Sequence, residues 1–126
     1  MYTGYQLSEK SRKKLLQLFP PKYDRIIAHH ITEQFGTYKD DPAPEMPESV
    51  KVVGYIDSGD GVEGLLVAIN GMTARQDGSK YHITWSLDGG RKPVETNNYV
   101  NDAVPVKPVS IEVEPKNFGL SEHLKV

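Results

Sequence analysis

His30-Ile31-Thr32 recurs in the same chain as His82-Ile83-Thr84. The first copy lies within residues 25–35 and the second within residues 81–87, runs rich in Ile, Thr and aromatic residues that read as β-strands. Side chains alternate between the two faces of a strand, so His30 and Thr32 share one face and Ile31 takes the other. His82 and Thr84 stand in the same relation to Ile83. The apolar face extends through Ile27, Ile31 and Phe35 on the first strand and through Tyr81, Ile83 and Trp85 on the second. Each strand therefore backs a polar His–Thr pair with apolar residues. The repeat predicts two such strands facing each other across a groove.

A groove of that kind suits phosphodiester chemistry. Cleavage by water or a 2′-hydroxyl needs one group to take a proton and another to protonate the leaving oxygen. Histidine serves either task because its ordinary pKa lies near neutrality. A Thr hydroxyl two residues on can donate to a non-bridging phosphate oxygen as charge builds there. The duplicated unit thus supplies His30 and His82 as acid and base, and Thr32 and Thr84 as phosphate donors, with no metal or other cofactor. His29 is read as a structural or partly buried histidine on the opposite strand face from His30, and His123 as a solvated residue of the tail. A zinc site from His29, His30 and His82 is not expected, since adjacent strand residues diverge and no carboxylate has ligand spacing. Asp88-Gly89-Gly90-Arg91-Lys92 lacks the phosphate-loop pattern, and no nucleophile-elbow motif is present.

Outward from the motifs, Tyr2–Leu7 reads as a strand. Ser8 caps a helix with Glu9 in its first turn; Leu15, Leu18 and Phe19 form its apolar face, and Pro20-Pro21 ends it. Residues 37–49 are acidic and carry Pro42, Pro44 and Pro47, which predicts an exposed loop able to cover a cleft. Residues 50–56 and Val62–Ile69 read as a hairpin across Asp57-Ser58-Gly59-Asp60-Gly61. Residues 97–103 read as a short helix or irregular loop and residues 109–113 as the final strand, with no assignment beyond Pro115.

Composition narrows the class. The 126 residues suit one domain, with 37% hydrophobic and 25% charged residues as in ordinary globular chains. A net charge of -2 argues against general duplex DNA binding, which needs a broadly basic surface. The absence of cysteine excludes disulfides, thiolate metal sites and cysteine nucleophiles. No signal peptide or membrane-spanning run is read, so the expected address is the cytoplasm, or the host cytoplasm for a viral gene. Arg75, Lys80, Arg91 and Lys92 bracket the second motif and are candidate substrate contacts, or equally solvated surface charge. Tyr38 is a candidate base-stacking residue, or an exposed loop aromatic. Trp85 is read as packing. A monomer is expected, because one chain already holds both motifs.

The pair of His-x-Thr motifs resembles the signature of the 2H phosphoesterase superfamily. Tyr2-Thr3-Gly4-Tyr5, the Ser-Glu-Lys-Ser helix start, Phe19-Pro20-Pro21, His29-His30-Ile31-Thr32, Phe35-Gly36 and Lys92-Pro93-Val94 with Asn97 are similar to the cyclic phosphodiesterase domain of plant and fungal type tRNA ligases. The resemblance implies an α+β fold with few helices, in which two antiparallel β-rich lobes are related by pseudo-two-fold symmetry around a central groove. It further implies opening of an RNA 2′,3′-cyclic phosphate to a 2′-phosphate, with either histidine as acid or base. The 126 residues include no kinase or ligase segment, so destruction of cyclic mono-, di- or oligonucleotide signals, as in phage anti-defence, is an alternative. Non-catalytic capture of RNA ends or phosphorylated nucleotides is another. Histidine is a poorer choice than Arg or backbone amides for that task.

Overall fold

Strand-forming runs and Gly/Asp turns dominate the chain, and the computed structural model, which describes residues 2–118, is correspondingly sheet-rich. Its strands are β1 (Tyr2–Leu7), β2 (Arg25–Ile26), β3 (His30–Phe35), β4 (Val50–Asp57), β5 (Val62–Ile69), β6 (His82–Leu87), β7 (Val104–Ser110) and β8 (Val113–Phe118), with one α-helix, α1 (Glu9–Leu18), among the described residues. All pairings are antiparallel, in the order β7-β4-β5-β6-β3-β1-β8, with β2 beside β6. The fold is therefore α+β with few helices. The strands form one continuous hydrogen-bonded sheet, in which β3 and β6 meet at a single residue pair, Ile31↔Ile83. His123 lies outside the described residues.

One face of the sheet carries the core. Ile31, Leu65, Val67, Ile83 and Trp85 are fully buried there with Leu15 of α1. Burying each such aliphatic side chain stabilises the fold by about 2 kcal/mol. Ser8 caps α1 by accepting the Ser11 N–H, and the Trp85 indole N–H donates to the Phe19 carbonyl at the helix end. The buried stripe of α1 is Ser11 and Leu15, whereas Leu18 is 53% exposed, contrary to its expected place on the core face. The Ser11 hydroxyl accepts the Glu112 N–H, so this polar position ties the helix to the β7–β8 turn.

Two local readings are corrected. The strand expected over residues 25–35 is broken, because Ala28 adopts φ 44° and the register against β6 shifts between Ile26↔Ser86 and Ile31↔Ile83, where β3 also pairs with β1. The strand expected over residues 109–113 is instead two, β7 and β8, turning at Ile111 and Glu112; Pro105, Pro108 and Pro115 sit within them. Those strands lie at the two ends of the sheet, where a missing N–H disrupts no ladder. Residues 97–103, expected as a short helix or irregular loop, hold the end of the 3₁₀ segment Pro93–Asn98 and all of a second, Val100–Asp102. The β4–β5 hairpin is formed, with the Asp57 carboxylate accepting the Gly59 N–H.

A buried carboxylate fastens the chain after α1. Glu63, 1% exposed, accepts the Lys22 N–H at 3.0 Å, the Ser86 hydroxyl at 2.6 Å and the Tyr55 hydroxyl. Burial, reinforced by the bond to Glu63, pushes the Tyr55 phenol well up. Glu63→Gln replaces an acceptor of three bonds with a group that also presents donors, and is expected to cost about 2 kcal/mol in urea unfolding. A loss below about 0.5 kcal/mol would show that the network is easily rebuilt.

No helix among the described residues is long and apolar enough to cross a membrane.

Candidate active site

The two tripeptides, distant in sequence, meet antiparallel at Ile31↔Ile83. In that register His30 falls opposite Thr84 and Thr32 opposite His82. With both isoleucines in the core, the four polar residues lie on the other face, where they line one groove of about 290 Å³. The same local device recurs on both sides. Thr32 pairs with Gly4 and Thr84 with Gly64, and beyond each Thr one extra residue, Glu33 or Trp85, bulges out of register. Each glycine admits a close approach: a Cβ on Gly4 would lie 2.1 Å from the Ile31 carbonyl oxygen, and one on Gly64 2.8 Å from Thr96 Cγ2.

The bulge at Glu33 corrects the face of Phe35. Alternation without it sends Phe35 to the core; with it, Phe35 pairs with Tyr2 and stands 47% exposed on the groove wall. Tyr2 packs against His30 with ring centroids 5.0 Å apart, and Phe118 lies 5.2 Å from the same imidazole.

His82 is nearly buried, and its Nδ1 lies 2.7 Å from the Lys80 carbonyl oxygen. A carbonyl only accepts, so Nδ1 carries the proton and the neutral ring leaves Nε2 bare. Burial holds the His82 pKa below the usual histidine range, with the Lys80 bond opposing in part. Thr84 Oγ1 is 2.9 Å from Thr96 Oγ1 and donates to the Pro93 carbonyl at 3.3 Å. Thr84 has a single hydroxyl proton, so donating to a phosphate requires releasing Pro93, while the Thr96 hydroxyl can still donate into Thr84 Oγ1.

The remaining candidates are scattered. Lys92 lines the groove, with Pro93, Val94 and Asn97 beside it. Lys80 contributes its carbonyl to His82. Arg75 is not a rim residue: its side chain is 2% exposed, chelated by Asp77 through Nε and Nη2, bonded to Asn97 and set 5.4 Å from the Phe35 ring centre. Arg91 is ion-paired with Asp60 and Glu95, bracing the Pro93–Asn98 segment. Tyr38 is 77% exposed and away from the groove lining. His29 does not diverge from His30: their Nδ1 atoms are 3.0 Å apart, and His29 lies just outside β3, where strand alternation does not apply.

Sequence reasoning missed Phe35, Tyr2 and Thr96 as parts of the site. The legible signal was the glycine on each partner strand, Gly4 and Gly64, since an isolated strand glycine marks a bulge or close approach. Among the described residues, no three His, Asp or Glu side chains converge as metal ligands. No family model matches the chain, and neither a curated protein nor a solved structure matches it.

Proposed function

We propose that this protein is a metal-independent phosphodiesterase that opens an RNA 2′,3′-cyclic phosphate to a 2′-phosphate, with His30 and His82 as acid–base pair. One observation carries the proposal: two His-x-Thr units meet antiparallel and share one groove. Water attacks phosphorus as one imidazole takes its proton; the bond from phosphorus to the 3′-oxygen breaks, and the other imidazole protonates that oxygen. Thr32 and Thr84 donate to the non-bridging oxygens, and Lys92 adds a positive charge at the rim. The matched Gly–Thr pairings and bulges are what a pseudo-two-fold, 2H-phosphoesterase-like architecture would produce, and they support that reading of the fold.

The modest groove and the acidic loop over residues 37–49 disfavour long polyanions. They favour a second reading in which cyclic mono-, di- or oligonucleotide signals are the substrates. Either way the reaction takes place in an aqueous compartment and needs only one chain.

The test is turnover in EDTA of nucleoside 2′,3′-cyclic phosphates, 3′,5′-cyclic nucleotides and cyclic di- and trinucleotides, with products separated against 2′- and 3′-phosphate standards. Accumulation of a 2′-phosphate is the expected result. Cleavage of cyclic dinucleotides alone keeps the chemistry and changes the substrate. Tight binding without turnover of any of them refutes the enzyme in favour of a binding module.

A further inference from the structure

We infer that His29 is a positioning residue for His30, holding it as the proton donor of the pair while His82 acts as the base. This assignment rests on the phosphodiesterase reading above and adds the direction of proton flow. It begins from a strained backbone. Ala28 has φ 44°, a left-handed conformation that costs energy for any residue bearing a Cβ. The turn is pinned on three sides: the Ala28 N–H donates to the Thr84 carbonyl, Arg12 Nε–H donates to the Ala28 carbonyl, and the Leu7 N–H donates to the His29 carbonyl. Where the chain leaves this turn and enters β3, two neighbouring imidazoles, which a regular strand would send to opposite faces, meet edge to face with Nδ1 atoms 3.0 Å apart.

Two Nδ1 atoms at that distance hold one proton between them. When His30 is the cation, its Nδ1–H donates to the His29 lone pair, which steadies the charge and aims the Nε2–H at the groove. His82 has the complementary arrangement. The Lys80 carbonyl keeps a proton on Nδ1, and a nearly buried site disfavours the cation, so its bare Nε2 is the acceptor. The step balances: His82 Nε2 takes a proton from water as oxygen bonds to phosphorus, the bond to the 3′-oxygen breaks, and His30 Nε2 gives its proton to that oxygen. Exchange with solvent restores both rings.

The ionisable groups around the His29–His30 pair, among the described residues, come from several elements. Tyr2 packs at a tilt from β1, Arg12 of α1 is bonded one residue upstream, and His82 of β6 and Lys92 share the groove. On β8, Glu114 and Lys116 lie in register beyond β1 on the His30 side, and Phe118 adds an uncharged ring.

Proton and long-range ¹⁵N spectra of the full chain test it without substrate, alongside pH–rate profiles on a 2′,3′-cyclic phosphate. Wild type is expected to show an exchange-protected Nδ1 proton on His30. His29→Phe should lose it, drop kcat about tenfold with KM unchanged, and move the alkaline limb to lower pH. His29→Asn, whose Oδ1 can accept in the same position, should restore all three. An unprotected His30 Nδ1 proton in wild type, or an unmoved alkaline limb in His29→Phe, overturns the inference, and the wild-type spectrum decides even where that variant does not fold. If no substrate turns over, the functional reading fails while the spectra still report on His29. If turnover occurs but His30 ignores His29, only this assignment falls.

Discussion

Replacing either His30 or His82 by alanine is expected to lower kcat on the cleaved nucleotide by about three orders of magnitude while leaving the protein folded. Each substitution removes one of the two proton-transfer groups, and neither neighbour can take over. The Thr32 and Thr84 hydroxyls are too weakly acidic to exchange protons near neutrality. Folding should survive, because both imidazoles line the groove rather than the isoleucine and tryptophan core. KM should change less than kcat if the threonines and Lys92 supply most of the phosphate binding. The pH profile adds a signed expectation. His82 as base must be neutral, and burial lowers its pKa, so the acid limb of the wild-type profile should lie below the ordinary histidine range. His82→Ala should abolish that limb in the residual activity. Both variants folded and turning over at wild-type rates would refute the acid–base pair outright.

The second large effect concerns stability. Gly4→Ala is expected to destabilise the protein by about 3 kcal/mol or more, a fall in Tm of roughly 10 °C. The new Cβ would sit 2.1 Å from the Ile31 carbonyl oxygen and 3.1 Å from Thr32 Cα. Both are backbone atoms of a paired strand, so no side-chain rotation relieves the contact. Relief requires β1 and β3 to part, at the pairing that holds Thr32 beside the groove. Activity should therefore fall with stability, even in the fraction that remains folded. Gly89→Ala is the control: nothing lies within 4 Å of its added Cβ and its φ is not positive. Thermal unfolding of the two variants side by side separates a local clash from a general intolerance of glycine loss; equal, small shifts would show that β1 and β3 yield easily.

The cap at Ser8, the hairpin at Asp57–Gly61, the β-rich character and the polar His–Thr faces were all legible locally. Each depends on residues within a turn or strand of one another: a side-chain oxygen near free amides, Gly and Asp in a tight connection, alternation along one run. The same locality explains the errors. Prolines at 105, 108 and 115 argue against strands until one knows that β7 and β8 stand at the ends of the sheet. Arg75 reads as surface charge until Asp77 and Asn97 are seen to enclose it.

The sequence by itself determined the chemical vocabulary of this protein, two histidines and two threonines each backed by an isoleucine. Tertiary structure alone decided how they are used. It set Ile31 against Ile83, brought the His29 ring onto His30, and brought Phe35 to the groove through the Glu33 bulge. Those outcomes follow from pairing between strands far apart in sequence and from backbone strain that only a surrounding hydrogen-bond network can hold, and neither is encoded in the pattern of any single strand.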